Sequence, residues 1–100
     1  MMEKAKPIFH RRLFWDVVFD NIDYDEKKRF VIERVFERGD LPDITQARRY
    51  YGDELIIEIL TTAKYLFEET TIFCAGYFDV PIENFRCYRE KQLNYQHSLY

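Results

Sequence analysis

Apolar positions along this chain recur mostly at three- and four-residue intervals, the period of an α-helix with one buried face. The clearest case follows Asp53, where Leu55, Ile56, Ile59, Leu60, Ala63, Leu66 and Phe67 form one stripe. It predicts a helix capped by Asp53 and carrying the stripe through Phe67. The β-branched residues would also suit a strand, but length and spacing favour the helix. Ile57 lies off the stripe and predicts burial on a second side. A second pattern, Val31, Ile32, Val35 and Phe36 with Phe30 beside it, predicts a helix over Tyr24–Arg38. Asp23 is placed to cap it, with Glu26 three residues on as in a capping box. Asp25 and Glu26 at its start and Arg34 and Arg38 at its end suit the helix dipole. Gly39 is expected in the left-handed conformation that closes many helices.

The remaining segments are shorter. Pro42 suits a first helical turn, Asp40 and Asp43 favour the same end, and Ile44, Ala47 and Tyr51 follow helical spacing until Gly52. A fourth helix is expected over Glu69–Phe78, with Ile72, Phe73, Gly76 and Tyr77 on one face. Glycine inside a helix costs about 1 kcal/mol against alanine, so Gly76 implies a close neighbouring backbone or an imperfect helix. Val80-Pro81 ends this helix, and Pro81 opens a short fifth one carrying Ile82 and Phe85. The stretch Ile8–Ile22 is rich in large apolar residues whose spacing does not choose between helix and extended chain. It is expected to wrap across the helices. Arg86–Tyr100 is polar with spaced tyrosines and reads as a partly ordered tail. The expected fold is all-α: one small domain over residues 1–100, four to five short helices with an N-terminal wrapping segment, and flexible ends at 1–7 and about 89–100.

Composition narrows the class. One hundred residues suffice for one domain, and 47 % hydrophobic content with three glycines and three prolines excludes a disordered or collagen-like chain. Nine Phe, eight Tyr and one Trp supply bulky rings for a small interior. The formal charge is −3, with a net +1 in the first fifty residues and −4 in the last fifty. That lacks the basic excess usual in a nucleic-acid binder. No run approaches the roughly 20 apolar residues of a membrane span, and the start has no apolar signal core. Cys74 and Cys87 then read as reduced thiols of a cytoplasmic protein.

Catalytic patterns are sparse. There is no glycine-rich phosphate loop and no G-x-S-x-G elbow. His10, His97, Cys74 and Cys87 are ligand types for zinc but lack a close-spaced pair, so no metal site and no cofactor are expected. Asp16, Asp20, Asp23 and Asp25 break the calcium-loop pattern and suit turns and caps. An enzyme reading would need a cleft joining His10 or His97 to a carboxylate. The helix pair Asp43–Leu60 around Gly52 raises an alternative, a helix-turn-helix-like DNA-binding transcriptional regulator. Its second helix begins with Asp53 and Glu54, and phosphate repels such a start, leaving Arg48 and Arg49 for backbone contacts.

Several blocks carry a resemblance. Leu13-Phe14-Trp15-Asp16, Phe30 through Asp40 (FVIERVFERGD), Tyr50-Tyr51-Gly52, and Phe73 through Phe78 with Pro81 and Phe85-Arg86-Cys87-Tyr88 resemble a bacterial domain family of unknown function, about 90–100 residues long. Members of that family look like products of short genes beside nucleotidyltransferase-type toxins of the abortive-infection class. The resemblance implies an antitoxin-like or accessory role and brings no catalytic or binding residue with it. The resulting expectation is a non-enzymatic protein-interaction domain with a protein partner, a toxin-like nucleotidyltransferase, and no membrane. Candidate contact residues are Tyr50, Arg86, Tyr88, Tyr95 and Tyr100, because tyrosine and arginine anchor interfaces.

Overall fold

A computed structural model describes residues 6–14 and 22–91. Four α-helices follow one another: α1, Lys28–Arg38; α2, Leu41–Tyr51; α3, Asp53–Thr62; and α4, Glu68–Tyr77. Single 3-10 turns occupy Arg11–Phe14 and Ile82–Asn84, and residues 86–91 are helical. The described part is all-α. No described helix is long and apolar enough to cross a membrane.

Helix α1 is the hub. It packs against α2, α3, α4 and the first 3-10 turn, and Val31, Ile32 and Val35 are wholly buried. Its predicted start at Tyr24 is corrected to Lys28, because residues 24–27 form a turn. Asp23 still caps this turn: its Oδ1 accepts the N–H groups of Asp25 and Glu26 at 3.1 and 3.0 Å. Gly39 is not left-handed. It is extended (φ −83°, ψ 166°) and leads straight into Asp40, the N-cap of α2. Its need for glycine is steric, since a Cβ there would lie 2.5 Å from the Val35 carbonyl oxygen.

One residue separates α2 from α3. Gly52 sits at φ 86°, ψ 149°, with open space where a Cβ would point. Asp53 is therefore the first residue of α3 and not its cap. The cost of any other residue at 52 is purely conformational. Gly52→Ala is expected to lower unfolding free energy by about 1–3 kcal/mol in urea titration.

The stripe predicted through Phe67 breaks at Ala63. Thr61 and Thr62 turn their hydroxyls back onto the carbonyls of Ile57 and Glu58, both at 2.7 Å. Arg29 donates to the Ile59 carbonyl at 3.3 Å and to Thr62 Oγ1 at 3.0 Å. These bonds satisfy the helix end, and the chain becomes extended. Ala63 and Leu66 still reach the core from the connector. Glu37 of α1 then opens α4, its carboxylate accepting the Phe67 N–H at 3.1 Å and the Thr70 hydroxyl at 2.5 Å.

The buried side of α4 is Thr70, Thr71 and Cys74, not the face named from spacing. Ile72, Phe73 and Tyr77 are exposed. Thr70 answers Glu37, and Thr71 Oγ1 lies 3.4 Å from Cys87 Sγ. Gly76 has no neighbour within 4 Å of a Cβ position, so no close backbone explains it. Asp79, at φ 55°, ends α4. The bonds Val80 N–H to Ala75 and Asp79 N–H to Gly76, at 2.9 and 3.3 Å, form a Schellman closure. Pro81 then caps the expected short fifth helix, which is a 3-10 turn over Ile82–Asn84 and stops before Phe85. Helical residues 86–91 then replace the start of the predicted tail, with Phe85 and Cys87 buried.

Candidate functional site

The segment before α1 is laid along α2 by a polar row. Asp40, Asp43, Gln46 and Arg49 recur every third residue and share one ridge of α2. They meet residues 12, 10, 8 and 6 in reverse order. Arg12 pairs with Asp40, and the Ile8 N–H donates to Gln46 Oε1 at 3.2 Å. Arg49 donates to the Lys6 carbonyl at 3.2 Å. Between these, Asp43 Oδ1 accepts the His10 N–H at 3.1 Å, and Oδ2 lies 2.9 Å from His10 Nδ1. The alternation suits an extended strap, since Pro7 and Phe9 are buried while Ile8 and His10 are exposed.

Asp43 is the hub of this arrangement. It is 1 % exposed, and Oδ2 also accepts the Asp40 N–H at 3.0 Å, one half of a capping box at the start of α2. Burial pushes its carboxyl up, but the His10 ring, the two backbone N–H groups and the histidine charge outweigh burial and hold it below the ordinary carboxylate value. His10, Asp40 and Asp43 each place one ligand atom within 4.8 Å of the others. The Asp43 oxygens are already engaged by N–H donors and Asp40 by Arg12. The chemistry of the group is thus that of a clasp. It does join a histidine to a carboxylate, the pair that an enzyme reading asks for, but the carboxylate holds the strap's backbone as well as the ring.

The named contact residues fall in different places. Tyr50 is half-buried, packs against the core, and donates its hydroxyl to Asp25 Oδ1 at 2.9 Å. Its ring meets Tyr51 edge-on at 4.9 Å. Burial, then the Asp25 contact, raises its pKa. Tyr88 is half-buried and packs against the core. Arg86 is exposed and donates to Glu90 at 2.8 Å. Tyr95 and Tyr100 lie outside the described residues, as does His97. Cys74 and Cys87 are both buried free thiols. Burial, with Glu37 and Cys87 adding to it, pushes the Cys74 thiol up to about 12, which makes it inert packing. The arginines of the helix pair are engaged. Arg48 grips Asp53 at 2.7 and 2.9 Å and donates to the Tyr77 hydroxyl at 2.8 Å, and Arg49 is drawn into the strap.

One open apolar surface lies on the outer face of α4. Ile72 is 56 % exposed, and Phe73 and Tyr77 stack with ring centres 5.2 Å apart. Across a groove of about 270 Å³ from Phe73 stands Leu41, 63 % exposed at the start of α2. Ile44 and Phe36 form the groove floor, and Glu69 lies on its edge. Glu68 begins the same helix.

A family model described as a family of unknown function (DUF6922) matches residues 9–60. The chain belongs to that family. The DUF6922 span runs from Phe9 of the strap to Leu60 of α3, so it takes in the clasp, α1, α2 and most of α3 and stops before α4. No curated protein and no solved structure matches the chain.

Two features of this DUF6922 chain escaped sequence reasoning. The Asp43 hub has a signal in the sequence, the Asp-x-x-Asp spacing of Asp40 and Asp43, but that spacing alone points only to a helix start. The outer face of α4 carried a misleading one, because its apolar spacing is that of a buried face.

Proposed function

We propose that this DUF6922 chain is a non-enzymatic, cytoplasmic protein-interaction domain. Its docking face is the outer side of α4 together with Leu41. The observation behind this reading is the exposed set Leu41, Ile72, Phe73 and Tyr77, gathered on one side of a domain whose core is built around α1. Exposed apolar side chains grouped about a groove mark interaction sites more often than isolated ones do. Glu68 and Glu69 at the start of α4 give the face an acidic edge, which favours a partner with an apolar, cationic surface. A toxin-like nucleotidyltransferase, whose nucleotide cleft is basic, fits that description. The role is then antitoxin-like or accessory.

The test is affinity purification of the tagged chain from its source cell, with Leu41→Glu and Phe73→Glu variants in parallel. Both side chains are exposed, so each variant is expected to melt within about 0.5 kcal/mol of the parent. Each removes an anchor that contributes about 2 kcal/mol or more to binding, roughly a 30-fold loss of affinity. A nucleotidyltransferase that co-purifies with the parent and is lost with both variants supports the proposal. Recovery of none, or equal recovery with the variants, refutes it.

A further inference from the structure

A second surface has a different character. The connector between α3 and α4 lifts Tyr65 into solvent at 62 % exposure, with the Phe67 ring edge-on to it at 6.0 Å. Tyr65 sits at the join of two grooves, of about 490 and 310 Å³, that share it and Glu33. The first groove is walled by Arg29, Lys64 and Arg86. The second is walled by Arg34 and Arg38 of α1 and by Phe30. Lys91 stands 5.8 Å over the Tyr65 ring, and Arg34 stands 4.8 Å over Phe30. Against these cations the grooves set Glu33 and Glu37, and Arg86 also pairs with Glu90 at 2.8 Å; Glu37 is engaged in capping α4. The chain's net charge of −3 thus conceals a segregation. Exposed Glu54, Glu58, Glu68 and Glu69 belong to α3 and α4, while this trough is cationic.

We infer that this trough binds single-stranded nucleic acid, with a base against the Tyr65 ring and phosphates along Arg38, Lys64 and Arg86. Cations flanking an open aromatic ring are the combination that holds unpaired strands, since every base offers a flat face and every linkage a charge. A duplex keeps its base faces stacked and cannot use Tyr65. A peptide of acidic residues alone satisfies the cations but brings no ring to stack. This inference goes beyond the protein-docking role and uses different residues.

Fluorescence anisotropy tests it, with labelled 12-nucleotide RNA and DNA single strands, the matching duplexes, and polyglutamate as competitor. Single strands are expected to bind at 50 mM salt and to lose about 10–50-fold in affinity by 200 mM, as three or four phosphate contacts require. Tyr65→Ala is expected to weaken binding about tenfold at every salt concentration. Lys64→Glu is expected to flatten the salt dependence. Phe73→Glu, on the other surface, is expected to bind strands as the parent does. Both trough side chains are exposed, and thermal melts matching the parent confirm folding. The inference is overturned by absence of binding at 50 mM salt, by duplex binding equal to single-strand binding, or by an unchanged Tyr65→Ala that polyglutamate displaces as readily as the parent. The last outcome marks an acidic-protein site.

Discussion

Ile59→Asp will abolish cooperative folding. Ile59 lies on the buried side of α3, 3 % exposed, against the hub helix α1. Truncating such a side chain to alanine already costs about 2–5 kcal/mol. An aspartate adds a carboxylate forced out of water among apolar side chains, at several kcal/mol more. A domain of this size holds roughly 5–15 kcal/mol in total, so the sum reaches the whole of it. Far-UV circular dichroism against temperature is the measurement, with Ile72→Asp as the paired control. Ile72 sits on the outer face of α4, and its variant should melt within about 0.5 kcal/mol of the parent. If Ile59→Asp melts like the parent, the packing of α3 on α1 is wrong. If Ile72→Asp unfolds the domain, the outward face of α4 is wrong.

That pair of isoleucines also shows how far the sequence could be read. Periodicity names which residues share a face, and it did so for α1, α2 and α3. It does not say which face turns inward. For α4 the choice was made by hydrogen bonds and small volume. Thr70 binds Glu37 of α1 and Thr71 meets Cys87, contacts 33 and 16 residues distant in sequence. No local pattern carries such contacts. The break at Ala63 has the same origin in part, because Arg29 reaches the end of α3 across 30 residues. Thr61-Thr62 was the visible share of it, two β-branched hydroxyl residues able to bond back to their own helix. The capping chemistry was more legible. Asp40 and Gly52 punctuate the chain where the sequence placed boundaries, and Asp23 caps the turn ahead of α1 instead of the helix itself, while the backbone at Gly39 and the role of Asp53 differ. The strap was legible only as apolar. Its fastening depends on alternation over 6–12 meeting three-residue spacing on α2, two periods that signal nothing until the segments touch.

The second large effect falls on that fastening. Asp43→Ala removes the acceptor of the His10 ring, the His10 N–H and the Asp40 N–H together. Bonds to a charged acceptor contribute about 1.5–3 kcal/mol each, less than additively when shared, and stranded buried donors add their own desolvation. A loss of about 3–5 kcal/mol is expected from urea titration at pH 7. Asp43→Asn should lose less, since its amide keeps one acceptor oxygen. The pH dependence fixes the cause. The Asp43 carboxyl is held below its ordinary value in the folded chain, so the folded state binds its proton less readily than the unfolded state does. The resulting stability is present in full above the ordinary carboxylate range and is lost as pH falls through the lowered folded value. The gap between parent and Asp43→Asn should therefore be widest above about pH 5 and narrow steadily below about pH 4. A gap that stays constant from pH 7 to pH 3 would assign the loss to shape alone. Proteolysis gives the structural readout: with the clasp gone, cleavage within the strap should precede global unfolding in Asp43→Asn and coincide with it in the parent. Early cleavage in both proteins would mean that Asp43 serves the start of α2 and not the strap.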